Sequence, residues 1–397
     1  MILKSPMRRV QLPFRFVTIQ SSARTSYSSG TRTTSNPGRP LTRPVSTRSD
    51  SSRIIFSGIQ PTGIPHLGNY FGALVNWVKL QDAAAPHDKL LFSVVGWHAL
   101  TLPQDPKALF EARTTMIALL LASGIDHRRS IVFHQDEVQN HTELAWILSC
   151  ITPIGKLKRM TTWKSRLAVS RNANDESEVD DSLLNAGLFT YPILQAADIL
   201  AYRATHVPVG EDQQQHLELT RDLAETFNRT YPSPTPLFKL PELMLTPSKR
   251  ILSLRDSTVK MSKSAADPNS RILLTDSYET IAKRVRSAVT DSISGITFDP
   301  VERPGTSNLL MILSACTGET PAALAERYAN SNHGALKKDV VEAVEEALRK
   351  PRAEFSRLCG EKAFLEQVAR DGAQKAQEQS NETLKEVRMR VGLDYQP

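Results

Sequence analysis

The chain is 397 residues long and 40% hydrophobic, enough for two domains with their own cores and an appendage, and its longest clean apolar run, Met116 to Ala122, falls far short of the ~18 residues a membrane-spanning helix needs, so no membrane partner is expected. Its net charge of +7 sits almost wholly in the first fifty residues, where Lys4, Arg8, Arg9, Arg15, Arg24, Arg32, Arg39, Arg43 and Arg48 face one acid, Asp50; the remaining body is near neutral, so bulk charge says nothing about its ligand. Cys150, Cys316 and Cys359 are isolated, which excludes a CxxC zinc pair and a disulfide framework and fits a reducing compartment.

Residues 1–50 are rich in Arg, Ser and Thr and almost free of acids, with Val10, Leu12, Phe14, Phe16 and Val17 set among the arginines. That is the composition of an organelle transit peptide, with a basic disordered tail as the bland alternative; no apolar block marks a secretory signal. From Arg53 onward the pattern predicts a strand at Ile54 to Ser57, a helix at Asn69 to Gln81 and a strand at Leu90 to Val95. A helix follows from Pro106 to Ser123, with Asp105 as N-cap, Pro106 in the first position and Gly124 as the stop. Ser130 to Phe133 reads as a strand, and Asn140 with Glu143 is spaced as a capping box opening a helix through Cys150. Strands separated by such helices imply crossover connections and a parallel sheet covered on both faces, with ligands at the strand carboxyl ends. The polar stretch Arg171 to Asp181 reads as an exposed loop. Beyond about Ile281 the chain reads as helical, with periodic stretches at Ala335 to Leu348 and Ala363 to Val391. No internal repeat is found.

Two segments carry chemistry. The first strand runs into GIQPTGIPHLGN (Gly58 to Asn69), where three glycines and two prolines let backbone N–H groups approach a ligand next to a helix N-terminus. It is a phosphate site in outline but not a Walker loop, since Ile64 and Pro65 stand where Lys and Ser/Thr are required. A structural turn explains it equally well. Downstream lies KMSKS (Lys260 to Ser264), followed by the turn residues Asp267, Pro268 and Asn269. Two lysines three apart can close over a triphosphate, although a lone lysine pair is usually a solvated face. The two elements together, in this order, are what point to a nucleotide.

HLGN followed by KMSKS resembles the two signatures of class I aminoacyl-tRNA synthetases, with Asn69 in place of a second histidine. Within that class GIQPTG, TYPILQAADIL (Thr190 to Leu200), VPVGEDQQQH (Val207 to His216) and SAVTDS (Ser287 to Ser292) are similar to the tryptophan-specific branch, from about Ile54 to Leu393. The resemblance implies an α/β protein, with a Rossmann-like doubly wound parallel sheet in a catalytic domain at 51–282 and a helical anticodon-binding region at 283–397. A mitochondrial transit peptide at 1–50 would direct it to the matrix. It further implies a homodimer whose substrates are L-tryptophan, ATP with Mg²⁺ on its phosphates, and tRNA(Trp), with no prosthetic group and no metal held by the protein.

Carried over residue by residue, the resemblance puts Gln60, Pro61, Thr62, Gly68 and Asn69 against ATP, with His66 on the phosphates. Gly210, Glu211 and Asp212 would hold the ribose side and Ile251 the adenine. The loop Lys260, Met261, Ser262, Lys263 and Ser264 would cover the phosphates, its lysines stabilising the transferring α-phosphate; His66, Lys260, Lys263 and Ser264 form the implied catalytic set. For tryptophan, Asp198 would accept the indole N–H, Tyr191 and Gln213 would grip the ammonium, and Gln60 would lie near the carboxylate. Phe56, His98 and Gln195 would shape the side-chain pocket. The alternative for Asp198 is a carboxylate that merely pairs within its helix.

One departure stands out: the family commonly carries an acid two positions before the histidine, where this chain has Gly96 before His98. That puts any role of the acid in doubt and suggests a weakened or rearranged pocket edge. Lys283, Arg284 and Arg286, and Lys385, Arg388 and Arg390, are either RNA contacts or ordinary surface solvation. The competing readings are a tyrosyl-tRNA synthetase, a non-aminoacylating paralogue with a binding role, and a small-molecule nucleotidyltransferase.

Overall fold

The structure is a computed structural model that describes residues 52–160, 163–164, 167, 184–210, 213–245, 251–263 and 265–394. The basic segment 1–50 and the loop expected at Arg171 to Asp181 lie outside the described residues. In chain order the elements are β1 (Ile54–Ile59), α1 (Leu67–Asn69) running through a π-helical turn (Tyr70–Leu74) into α2 (Val75–Ala83), β2 (Lys89–Val94), α3 (Gly96–Ala99), α4 (Pro106–Ala122), β3 (Ile131–His134), a 3₁₀ turn (Gln135–Glu137), α5 (Asn140–Cys150) and α6 (Ile154–Lys158). They continue with α7 (Ala186–Leu200), β4 (His206–Val209), α8 (Gln214–Thr230), β5 (Glu242–Leu245), α9 (Tyr278–Arg286), α10 (Pro304–Thr317), α11 (Pro321–Arg327), α12 (His333–Cys359) and α13 (Lys362–Val391).

The five strands form one parallel sheet in the order β3-β2-β1-β4-β5. Side chains alternate across a strand, so a strand apolar at every position must be covered on both faces. Ile55, Leu90, Phe92 and Val132 enter one core cluster with Met116 to Leu120 of α4 and residues of α10 and α12. Their neighbours Phe56, Leu91 and Phe133 enter a second cluster with residues of α5, α7 and α8. Each such large side chain contributes about 1.5–3 kcal/mol by leaving water.

The strands and helices predicted up to Cys150 fall within two residues of the observed ones, the stretch Ala335 to Leu348 is part of a longer helix, α12, and Asp105 caps α4 as expected, accepting the Ala108 N–H. The capping box at Asn140 is a misreading. Gln139 is the N-cap of α5, without a side-chain cap bond. Asn140 donates instead to Ser380 Oγ at 2.9 Å and Asn381 Oδ1 at 2.8 Å, and Glu143 pairs with Arg388 at 2.6 Å. These spacings serve tertiary docking of α13, which local sequence cannot distinguish from capping.

Helix α13 seals the open edge of the sheet at β3. Leu365, Val368 and Ala369 belong to one core cluster, and Ala373, Ala376 and Leu384 to the other. The approach is close enough that a Cβ on Gly372 would lie 1.9 Å from the Val132 carbonyl oxygen, so a residue without a side chain is required where helix meets strand. Covering an edge strand in this way removes a template for unwanted pairing. Residues 51–397 accordingly form one compact unit. Among the described residues no helix is long and apolar enough to cross a membrane, and Cys150, Cys316 and Cys359 form no disulfide.

Candidate active site

Strand β1 lies between β2 and β4, so the chain leaves the sheet in opposite directions on its two sides, and a crevice opens at the carboxyl ends where such a sheet takes its ligand. A cavity of about 360 Å³ occupies that place. It gathers Phe56 and Gln60 from β1 and its exit, then Thr62, Asn69 and His98. Tyr191, Gln195 and Asp198 come from α7, joined by Gly210, Gln213 and Lys263. Of the other expected residues, Pro61, His66, Gly68, Ile251, Lys260, Met261 and Ser262 do not line it. Glu211, Asp212 and Ser264 lie outside the described residues.

The two signature segments meet. Lys263 Nζ donates to the Gly63 carbonyl at 2.9 Å and to Thr62 Oγ1 at 3.1 Å. The segment behind each is tied to the other by backbone bonds, Leu67 N–H to the Ile272 carbonyl at 2.9 Å and Leu274 N–H to the Pro65 carbonyl at 3.0 Å. Met261 is buried and its N–H meets the Ile251 carbonyl, which anchors the lysine loop while Lys260 stays exposed. Burial lowers the Lys263 ammonium to a pKa of about 8.

His66 is the N-cap of α1. Its Nδ1 accepts the Asn69 N–H, and Asn69 Oδ1 accepts the His66 N–H, both at 3.3 Å. Burial, then the charges of Lys263 and Arg271, push its pKa down to about 4. The ring is therefore neutral near pH 7, and with Nδ1 accepting, its proton sits on Nε2.

At the other end of the cavity Asp198, 1% exposed, is surrounded by donors. His98 Nε2 lies 2.8 Å from Oδ2, His141 Nδ1 2.6 Å from Oδ1, and Gln135 Nε2 2.7 Å from each oxygen. Burial pushes this carboxyl up, but the charge of His98 and the hydrogen bonds from His141 and His98 outweigh it and hold the pKa below the ordinary range. The group is then an acceptor only. With Asp198 ionised, His141 donates to it through Nδ1, and the Tyr202 hydroxyl lies 2.6 Å from Nε2. Burial first and the Asp198 charge second push the Tyr202 hydroxyl up and keep it protonated. Phe56 stacks on Tyr202 with ring centroids 5.6 Å apart, which makes one wall of the pocket rigid. The Tyr191 hydroxyl bonds His216 Nε2 at 2.7 Å, and Gln195 Nε2 donates to Gln213 Oε1 at 3.2 Å. Asp198 is thus no mere partner within its own helix: its hydrogen-bond partners come from α3, the 3₁₀ turn after β3 and α5.

Gly96 acquires a physical reason. A Cβ there would lie 2.2 Å from Asp136 Oδ1, so a carboxylate from the turn after β3 fills the space beside residue 96, paired with Arg113. Gln135, Asp136, His141 and Tyr202 were not legible as site residues. The signal that could have found the first two is their place just past the carboxyl end of a predicted strand.

In the helical region Arg284 is committed to Asp276 and the Arg271 carbonyl, Arg388 to Glu143 and Asp394, and Arg390 to the Thr235 carbonyl and Glu386. Lys283, Arg286 and Lys385 are exposed.

A family model described as tRNA synthetases class I (W and Y) matches residues 48–349. The mitochondrial tryptophan–tRNA ligase of Schizosaccharomyces pombe is 42% identical over 348 residues, covering 86% of this chain and 96% of that one. Among solved structures, tryptophanyl-tRNA synthetase from Mycoplasma pneumoniae superposes with a TM-score of 0.73 at 31% identity, covering 86% of this chain and 98% of that one. The enzyme from Campylobacter jejuni complexed with ADP and tryptophan does so with a TM-score of 0.70 at 30% identity, covering 86% and 99%.

Proposed function

The chain belongs to the class I tRNA synthetases of the tryptophan and tyrosine family, and from that premise we propose that this aminoacyl-tRNA ligase activates L-tryptophan with ATP and transfers it to tRNA(Trp) in mitochondria. One observation carries the requirement for a ring donor in the substrate, which the tryptophan-specific relatives narrow to indole: an ionised carboxylate, Asp198, fixed by three donors at the end of the cavity away from the phosphate-binding turn. A site built to accept a hydrogen bond rejects a ligand unable to donate it by about 10⁴–10⁵-fold. That is why the indole N–H, rather than ring size, would decide against phenylalanine.

The reaction needs no covalent enzyme intermediate. The tryptophan carboxylate attacks the α-phosphorus and pyrophosphate leaves, so the protein's work is to align the reactants and stabilise negative charge. Lys263 already rests on the turn that would receive the phosphates, and the proton of neutral His66 on Nε2 is a donor for a phosphate oxygen. Lys260 supplies a second cation. Gln60 lies near the amino-acid carboxylate, while Tyr191 and Gln213 hold the ammonium. Pro61, Gly68 and Asn69, with Gly210, Glu211, Asp212 and Ile251, complete the nucleotide site, and Met261, Ser262 and Ser264 shape the loop over it. Mg²⁺ enters on the phosphate oxygens as part of the substrate.

The region 283–397 is assigned to the anticodon end of the tRNA, with Lys283, Arg286 and Lys385 as the exposed cations able to reach phosphates. Trp146 and Ile154, 72% and 55% exposed, are large apolar side chains of the kind a second copy would cover, and they support a homodimer. The composition of residues 1–50, together with the mitochondrial relative in Schizosaccharomyces pombe, supports import into the matrix; a reporter fused to residues 1–50 should collect there.

The test is amino-acid-dependent exchange of pyrophosphate into ATP by residues 51–397. Exchange with tryptophan is expected. A signal with tyrosine alone would reassign the substrate, and none with any amino acid would favour a non-aminoacylating role.

A further inference from the structure

We propose that Gln135 is the residue that sets specificity for the indole N–H, positioning Asp198 and the helix of His98 as one unit; this rests on the tryptophan reading above. The side chain is completely buried behind Asp198, which lines the pocket. Its Nε2 lies 2.7 Å from both oxygens of Asp198, and its Oε1 accepts the Trp97 N–H at 3.0 Å. Only one orientation of the amide satisfies both neighbours: turned over, it would set oxygen against a carboxylate and N–H₂ against an N–H.

The consequence follows from what each partner carries. Trp97 precedes His98 in α3, and Asp198 is on α7. Across the turn after β3, a single side chain therefore bridges the two elements that supply the pocket's histidine and its carboxylate. A carboxylate offers roughly four lone-pair sites. His98 bonds Oδ2, His141 bonds Oδ1, and the Gln135 amide straddles both oxygens, so every protein contact to the carboxylate comes from a donor. Because all three neighbours donate, the carboxylate is held as an acceptor, and a ligand ring that presents no donor sets an apolar edge against a buried charge with no bond in return.

Gln135 thus touches no substrate atom but fixes the direction in which Asp198 accepts. Losing one hydrogen bond to a charged group corresponds to roughly a 10- to 100-fold change in an equilibrium constant.

The experiment uses the full chain and compares L-tryptophan with β-(3-benzothienyl)alanine, in which sulfur replaces the ring N–H, in the exchange assay. Gln135→Leu should raise KM for tryptophan roughly 10- to 100-fold with a much smaller change in kcat, and should shrink the preference for tryptophan over the sulfur analogue by at least about 10-fold. Gln135→Glu keeps the acceptor for Trp97 but faces Asp198, His98 and His141 with a carboxyl. It should recover kcat/KM for tryptophan as pH falls and the new acid regains a proton to donate, a response the wild type does not share. It also carries the test where the leucine variant does not fold.

A folded Gln135→Leu enzyme with unchanged KM and unchanged discrimination overturns the proposal, as does a pH profile of Gln135→Glu that parallels the wild type. Absence of tryptophan-dependent exchange in the wild type would instead overturn the functional reading beneath it.

Discussion

Lys263 donates to the Thr62 hydroxyl at 3.1 Å across a separation of 201 residues. The cation expected to stabilise the transferring phosphate already rests on the turn expected to cradle it, half-buried against the carbonyls of residues 62 and 63. Those carbonyls are weak partners for an ammonium compared with phosphate oxygens, so binding of ATP should draw the lysine off them.

That placement gives ATP binding a pH dependence. In the empty site the ammonium has a pKa of about 8, and only its protonated form attracts phosphate. Below neutrality the charge is present; as pH rises through 8 the free enzyme loses it, and KM for ATP should climb between pH 7 and 9. Lys263→Arg, whose charge does not titrate in this range, should flatten the climb. Lys263→Ala should slow adenylate formation by roughly two to three orders of magnitude, the scale of losing one preorganised transition-state donor. Single-turnover rates and KM across the pH series check both, and an unchanged rate in Lys263→Ala removes this side chain from the mechanism.

A second prediction concerns Gly96 and Asp136. Because a Cβ at 96 would collide with Asp136 Oδ1, Gly96→Ala should displace α3, raise KM for tryptophan through His98 and lower the melting temperature. Asp136→Ala vacates the space, so the double variant should bind tryptophan better than Gly96→Ala alone. The expected coupling is on the order of 0.5–3 kcal/mol, typical of residues in direct contact. Strictly additive effects would mean that the carboxylate does not occupy that place in solution.

The seat of α13 on β3 makes a third. At Gly372 the obstacle to a side chain is the Val132 backbone carbonyl, which cannot swing aside as a flexible side chain would. Gly372→Ala should cost about 1–3 kcal/mol, the usual range for overpacking, read as a lower urea midpoint at constant m-value. An alanine tolerated at full stability would show that helix and strand lie farther apart.

What could be read in advance follows from how locally each feature is determined. Strands such as Leu90 to Val95 and the helix opened by Asp105 and Pro106 announce themselves by apolar runs and cap residues a few positions apart. Gln60, Asp198 and Lys263 could be named because they fall within recognisable segments, and the structure sets them on one cavity. Gln135 and His141 could not, because their meaning is a contact with Asp198, 63 and 57 residues away. Asn140 was misread for the same reason: its partners lie 240 residues downstream. The reason for Gly96 was hidden too, because the side chain a Cβ there would meet, Asp136, comes from a different strand's end.

The last prediction takes up SAVTDS, whose Asp291 the substrate chemistry leaves without a role. Its carboxylate receives Arg303 Nε at 3.1 Å and a terminal guanidinium N–H at 2.7 Å, Thr306 Oγ1 at 2.6 Å and the Ile293 N–H at 3.0 Å. Arg303 is only 4% exposed and also donates to the carbonyls of Ile293 and Gly295. Two residues before Asp291, Val289 N–H bonds the Leu254 carbonyl at 2.9 Å, on the segment that leads to the lysine loop. The motif is therefore a clamp that joins that segment to Arg303 at the start of α10. Asp291→Ala leaves a buried guanidinium uncompensated and should cost about 3 kcal/mol, the lower end for breaking such a pair because the carboxylate is partly exposed. The hydrogen bonds from Arg303, against the opposing effect of burial, hold the Asp291 pKa well below the ordinary 3.8. A depressed carboxyl stabilises the fold fully above the unfolded value and loses that contribution as pH falls beneath it. The stability gap between wild type and Asp291→Ala, measured by urea unfolding, should thus be constant from pH 7 to about 5 and narrow below about pH 4. A gap that stays open at acid pH would show that packing, rather than the ionised pair, holds the clamp.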